Sequence, residues 1–244
     1  MKLTVDIDLA GEINVADEKG IPLSVRFSIV SEKPRVVILF GPSGSGKSSL
    51  LHCLAGMIRP KNGSIWLEEC CWFDSQKNFF LSPRGRLVSL LFQNYSLFPH
   101  LTVFQNIAYG LSSKLLVQEE VKFWLKLFSL EGKEDDYPHR LSGGEKQRAA
   151  LAQALAPKSR LVFLDEPFSA LDRPLQKMLL FEVSEWLRQE GISAIIVLHH
   201  LRDAIAMGDE LIVMGKGRIL QQGTPDAVVR HPVSNEVEEI LGIK

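Results

Sequence analysis

The scarcities of this sequence narrow its chemistry before any motif is considered. No apolar run approaches the roughly 20 residues needed to cross a bilayer; the longest, Val36–Phe40 and Ala194–Leu198, are short. Neither charge is in excess, since 28 Lys and Arg against 29 Asp and Glu leave a net charge of -1. That is too little for a field that draws nucleic acid or anionic lipid. The three cysteines, Cys53, Cys70 and Cys71, form no even framework and no CxxC or Cys/His metal spacing. They imply reduced thiols of a cytosolic protein, with Cys70–Cys71 packed at a strand end. Met1–Gly11 alternates charged and apolar residues and lacks the apolar centre of a signal peptide. No internal repeat or low-complexity segment is present. What remains is ordinary: 45% hydrophobic and 23% charged residues exclude extensive disorder. A length of 244 residues suits one domain, or one domain carrying a subdomain.

Short apolar runs alternate with amphipathic stretches, which predicts an α/β fold with a mostly parallel sheet. Val36–Phe40 is continuous, β-branched and stopped by Gly41 and Pro42, the pattern of a buried strand. Lys47–Met57 follows as a helix, with Leu50, Leu51, Leu54 and Ile58 on one face. Further strands are expected at Ser64–Leu67, Leu161–Leu164, Ala194–Leu198 and Glu210–Met214, and Gly215–Gly217 turns the chain into Arg218–Gln221. Asp172 begins a long helix that Gly191 stops, burying Leu175, Met178, Leu179, Val183 and Trp186. From about Asn94 to Arg140 the pattern is helical with no strand, so a helical insertion interrupts the core.

Gly41-Pro42-Ser43-Gly44-Ser45-Gly46-Lys47-Ser48 matches G-x-x-x-x-G-K-[ST] between a strand and a helix. Such glycines let backbone N–H groups wrap an anion, and the following helix adds its positive dipole end. Lys47 would reach the β- and γ-phosphates, the Ser48 hydroxyl would ligate Mg²⁺, and Ser49 joins the phosphate-binding set. Leu161–Leu164 delivers Asp165 and Glu166 at a strand end: the first suits a metal anchor, the second a base for the attacking water. Ser142 and Glu145 form a capping box any helix could use. Gly143 and Gly144 inside that first turn cost about 1 kcal/mol each relative to alanine, acceptable where a phosphate must approach the helix N-terminus.

Leu141–Arg148 resembles the signature sequence of ABC-type ATPases, and it lies between the phosphate loop and the acidic strand in that family's order. The resemblance covers essentially the whole chain. Gln93 matches the family's Q-loop glutamine, a catalytic and metal-contacting group; Ser169–Asp172 resembles its D-loop; His199 matches its switch histidine. The resemblance implies an α/β P-loop core, residues 1–93 and 150–244, with an N-terminal antiparallel β-region. It also implies an inserted helical subdomain, residues 94–149, carrying the signature. ATP with Mg²⁺ would be sandwiched between the phosphate loop of one subunit and Ser142, Gly143, Gly144 and Glu145 of the other, with Asp172 at the same interface. The implied partners are a second copy of the chain, transmembrane permease subunits and, indirectly, a solute-binding protein. The implied location is the cytoplasmic face of the membrane. Phe98, Leu101, Phe104 and Tyr109 either line the groove for a permease helix or, for most of them, fill the subdomain core.

Three features depart from the family pattern. Glu12–Val15 offers no aromatic residue for adenine, Leu198 and His200 flank the switch histidine where Thr and Asp are usual, and Asn94 follows Gln93. Phe92–Leu111 is similar to importer ATPases for oxyanions, ferric iron and polyamines, and Phe73–Pro83 to those for molybdate. Cargo is thus expected to be molybdate or tungstate, with sulfate, ferric iron or polyamine as alternatives. The chain ends soon after Thr224–Leu241, which is expected to leave no room for a C-terminal regulatory domain. A soluble ABC ATPase outside transport, or a nucleotide-binding module without turnover, stays open as a reading of another class.

Overall fold

Strand after strand in this chain is buried on both faces, and the two faces face two different cores. The computed structural model describes residues 1–9, 22–111 and 116–243; the Glu12–Val15 stretch expected near adenine lies outside them. The strands β1 (Lys2–Leu9) and β2 (Leu23–Val30) pair antiparallel, and β3 (Val36–Phe40) runs into the phosphate loop. Helix α1 (Lys47–Ala55) follows, then β4 (Asn62–Leu67), β5 (Cys70–Asp74) and the two-residue β6 (Phe79–Phe80). These complete an antiparallel sheet of order β2-β1-β4-β5-β6. After the single turn α2 (Pro83–Arg86) comes β7 (Ser89–Leu91), an edge strand of the second sheet.

The helical segment holds α3 (Val103–Ala108), α4 (Val117–Leu127), a 3₁₀ turn at Pro138–Arg140 and α5 (Gly143–Leu155). The core resumes with β8 (Leu161–Asp165), α6 (Arg173–Gln189), β9 (Ser193–Val197) and α7 (Leu201–Met207). It closes with β10 (Glu210–Gly215), β11 (Arg218–Gly223), α8 (Pro225–Arg230) and α9 (Asn235–Leu241). The second sheet has the order β11-β10-β3-β9-β8-β7, parallel except for the β10–β11 hairpin. In β3, Val37 and Leu39 face the core shared with α1 and the antiparallel sheet; Val36, Ile38 and Phe40 face the core shared with α5 and α6. A strand sandwiched this way reads as a continuous apolar run.

Several expectations shift in detail. Helix α1 ends at Ala55, not Met57, because Gly56 turns left-handed (φ 80) and its N–H caps Cys53; Met57 is exposed. On α6 Met178 is exposed, and Gln176, Leu180, Ser184 and Leu187 join the buried face. Cys70 is exposed and Cys71 half-buried at the start of β5, so the pair is not packed together. Phe104 is half-buried and packs against the larger core, whereas Phe98 and Leu101 are half-buried outside it and Tyr109 is 68% exposed, so the core takes one of the four. Among the described residues, no helix is long and apolar enough to cross a membrane.

Candidate active site

The chemistry expected of this chain collects at the carboxyl ends of adjacent parallel strands, where open α/β sheets bind ligands. β3 ends in the phosphate loop, β8 in Asp165 and Glu166, β9 just before His199, and β7 just before Gln93. Gly41 has no space for a side chain: a Cβ there would sit 2.2 Å from the Met214 carbonyl of β10. Gly46, left-handed at φ 96, turns the loop into α1, whose first residue is Lys47. Pro42, Ser43 and Gly44 form the exposed rim, Ser45 and Lys47 are buried, and Ser48 and Ser49 are half-buried. Lys47 Nζ donates to the carbonyls of Gly41 (2.9 Å) and Pro42 (2.8 Å). Burial pulls the Lys47 pKa down, and the nearby carboxylates of Glu166 and Asp165 oppose that.

Asp165 is 2% exposed, and its Oδ1 has no hydrogen-bond partner among the described residues. Burial raises its pKa; the Ser48 hydrogen bond, Lys47 and His199 work against the rise while Glu166 adds to it. An orphaned carboxylate oxygen beside a serine hydroxyl fits Mg²⁺, which takes one or two protein oxygens and completes its shell with substrate phosphates and water. Among the described residues, no group of three or more His, Cys, Asp or Glu could form an all-protein metal site. One carboxylate and one hydroxyl suit a metal whose remaining ligands come with a bound nucleotide.

Glu166 adopts a left-handed backbone (φ 51), a conformation costing about 1–3 kcal/mol for a non-glycine residue that surrounding contacts must hold. Its Oε1 lies 2.6 Å from His199 Nε2. Gln93 is exposed, two residues past the strand that pairs with β8 (Leu91 opposite Leu164). A cleft of about 690 Å³ opens on the flank, lined by Gly41, Pro42, His199 and, from α9, Glu236, Glu239 and Ile240. Lys47, Ser48, Asp165 and Glu166 are absent from its lining, so it adjoins the phosphate site without being it.

The second half of the expected chemistry sits on α5. Ser142 caps it: the Ser142 N–H and Oγ–H both donate to Glu145 Oε2 at 2.8 Å, and Ser142 Oγ accepts from the Glu145 N–H. These bonds hold the Glu145 pKa down at about 2, so that carboxylate serves its own helix. A Cβ at Gly143 would meet nothing within 4 Å among the described residues. Asp172 caps α6 and is exposed, without a side-chain cap bond.

Sequence reasoning missed Gln147. It is fully buried on α5, donates from Nε2 to the Glu166 carbonyl (3.0 Å) and Ser169 Oγ (3.2 Å), and accepts the Ala170 N–H (2.8 Å). The available signal was an amide on the buried side of an Ala/Leu-rich helix. Arg86 was missed as well, with no signal to separate it from its neighbour Arg84.

Loop, acidic strand end and histidine together define a phosphate-loop nucleoside triphosphatase. The sequence pattern of the family described as ABC transporter matches residues 25–169. A sulfate/thiosulfate import ATP-binding protein of Chlorella vulgaris is 39% identical, over 90% of this chain and 92% of that protein. A spermidine/putrescine import ATP-binding protein of Spiroplasma citri is 40% identical over 92% of this chain. An Fe(3+) ions import ATP-binding protein of Haemophilus influenzae is 39% identical over 93% of it. The chain spans only 62% and 64% of those last two proteins. The fold matches the dimeric ATP-binding cassette MJ0796 in a post-hydrolysis state with ADP and phosphate, at TM-score 0.75 and 23% identity, covering 92% of this chain and 99% of that one. The chain belongs to the ABC transporter family, as its ATP-binding and ATP-hydrolysing component.

Proposed function

We propose that this chain is the motor subunit of an importer, hydrolysing ATP between two copies of itself beneath a separate membrane permease. The observation that carries the hydrolytic reading is the 2.6 Å contact between His199 Nε2 and Glu166 Oε1 beside the phosphate loop. Glu166 takes the proton of the attacking water, and His199 orients that carboxylate and the γ-phosphate. Loop N–H groups from Gly41 to Ser49 cradle the phosphates, and Lys47 leaves its two carbonyl partners to meet the β- and γ-oxygens. Ser48 and Asp165, with Gln93 at the rim, would hold Mg²⁺, which supplies charge neutralisation on those oxygens when bound. Ser142, Gly143 and Gly144 complete the partner's site, with Glu145 fixing the turn and Asp172 near the same interface. Supporting this two-copy reading, Ser142 and Gly143 at the α5 N-terminus are exposed, and among the described residues nothing lies within 4 Å of a Cβ placed at Gly143.

Residues 94–149 serve as the helical subdomain that receives the permease, with exposed Tyr109 packed on half-buried Phe98 (ring centroids 4.5 Å apart) as a contact for it. For cargo we infer an oxyanion, molybdate or tungstate first and sulfate second. The resemblance in Phe73–Pro83 favours the former; the sulfate/thiosulfate relative favours the latter. A solute-binding protein would set that choice outside the cell. Glu166→Gln is the direct test. It retains MgATP binding, pairs in MgATP by sedimentation, and loses turnover by about 10²–10⁴-fold. Near-parental turnover removes Glu166 from the role. Deleting the gene and measuring uptake of labelled molybdate and sulfate tests the cargo; normal uptake of both with lost iron or polyamine uptake reassigns it.

A further inference from the structure

We propose that Gln147 is a positioning residue for hydrolysis, holding the Glu166 backbone from the signature helix α5; the proposal rests on Glu166 acting as general base. All three hydrogen bonds of the Gln147 amide go to the segment Glu166–Ala170. They hold both ends of one turn, because the Ser169 N–H also donates to the Glu166 carbonyl, at 3.3 Å. Glu166 within that turn is left-handed (φ 51), a backbone that reverts unless neighbours enforce it. Gln147 is fully buried among apolar neighbours on α5, where a hydrocarbon side chain would pack without the cost of desolvating an amide. The amide is there for its bonds, and its bonds fix the carboxylate-bearing residue.

The same helix carries two further links. Its N-terminus is the Ser142–Gly144 turn, exposed at Gly143, while a Cβ at Gly144 would lie 3.5 Å from the Ala170 carbonyl. Farther along, Gln153 Nε2 donates to Asn106 Oδ1 at 3.2 Å; Asn106, itself fully buried, accepts the Phe98 N–H and donates to the carbonyls of Phe98, Leu101 and Thr102. Seating a ligand on the α5 N-terminus thus bears directly on the Glu166 turn through Gln147.

Two substitutions separate this from a packing role. Gln147→Met keeps length and helix propensity and loses all three bonds; Gln147→Asn keeps the amide and shortens it by one methylene. Each is expected to lower kcat about tenfold or more, since small misplacements of catalytic groups are costly, with MgATP affinity and KM within about twofold of the parent. Single-turnover rates then close a double-mutant cycle with Glu166→Gln. In that background Gln147→Met should change the residual rate less than about twofold, because it acts through the missing carboxylate. Multiplicative effects in the cycle, a folded variant with parental kcat, or failure of both variants to fold would each overturn the proposal. If Glu166→Gln itself keeps turnover, the general base is misassigned; if it is inactive while both Gln147 variants are normal, only the Gln147 role fails.

Discussion

Arg86→Met tests how the helix after the phosphate loop is anchored. Arg86 is 4% exposed and makes no ion pair among the described residues. Its guanidinium donates to four carbonyls: Leu81 (2.9 Å), Cys53 (2.7 Å), Leu54 (2.7 Å) and Trp72 (3.2 Å), and it lies 5.2 Å from both the Trp72 and Phe80 ring centroids. Burial lowers its pKa only to about 10, so the cation persists at neutral pH and the carbonyls offset most of its desolvation. In the variant Cys53 O keeps the Gly56 N–H and Trp72 O keeps the Leu81 N–H. The Leu54 and Leu81 carbonyls lose the partner the structure gives them. At about 1–3 kcal/mol for each unsatisfied group, less the relief of no longer burying a cation, the net cost is about 3 kcal/mol. For a chain this size that lowers Tm by about 6–12 °C. Thermal unfolding followed by circular dichroism measures it, with exposed Arg84→Met as the control expected within about 0.5 kcal/mol of the parent. An Arg86→Met protein with unchanged or raised Tm would refute the reasoning, because desolvation would then outweigh the carbonyl bonds.

Glu145→Ala should cost about 1 kcal/mol at pH 7, the usual worth of a cap. Because the folded pKa of about 2 lies below the ordinary 4.5, that contribution is full above about pH 4.5 and vanishes as pH falls through 2. Urea unfolding of parent and variant across this range should converge, and a constant difference would contradict it. In native protein a thiol reagent should label exposed Cys70 first and leave Cys53, whose pKa burial pushes up to about 12, unmodified until unfolding; mass spectrometry of early digests reads this. Gly143→Ala should leave Tm equal or higher, since its Cβ meets nothing and alanine is about 1 kcal/mol better in a helix, while ATPase activity and ATP-driven pairing fall. Lost stability with normal activity would reverse that assignment.

What could be read ahead of the structure follows from how locally each feature is specified. A strand sandwiched between two cores must be apolar at every position, so β3, β8, β9 and β10 stood out as runs within one or two residues of their observed limits. The phosphate loop is dictated by its own glycines. Arg86 and Gln147 depend instead on segments far away in the chain, and no local pattern separates Arg86 from Arg84. Met178 follows the helical period yet lies outside, while Gln176 is buried because its amide binds Asp203 at 2.8 Å. Hydrophobic periodicity cannot see a buried polar pair. The aromatic pair of Phe98 and Tyr109 looked like interior for a related reason: composition favours burial of such residues, but here exposed Tyr109 packs on half-buried Phe98.

Gly41 and Gly143 mark the limit of reading function from residue type. Gly41 opens the loop that leads from β3 into α1 and Gly143 opens α5, and sequence alone gives both the same meaning, close approach of a phosphate. At Gly41 the fold is sufficient reason, because a Cβ would collide with Met214 O at 2.2 Å whether or not a ligand ever binds. At Gly143 the described residues supply none: the position is exposed, right-handed and uncrowded among them, and alanine has the higher helix propensity. A glycine that none of the described residues requires points to a cause outside them, such as a ligand or a second copy of the chain. The cap formed by Ser142 and Glu145 sharpens the point, since it secures the helix start while leaving the Gly143 face clear. Gly143 therefore carries more information about a partner than the phosphate loop does, although the loop is the stronger motif.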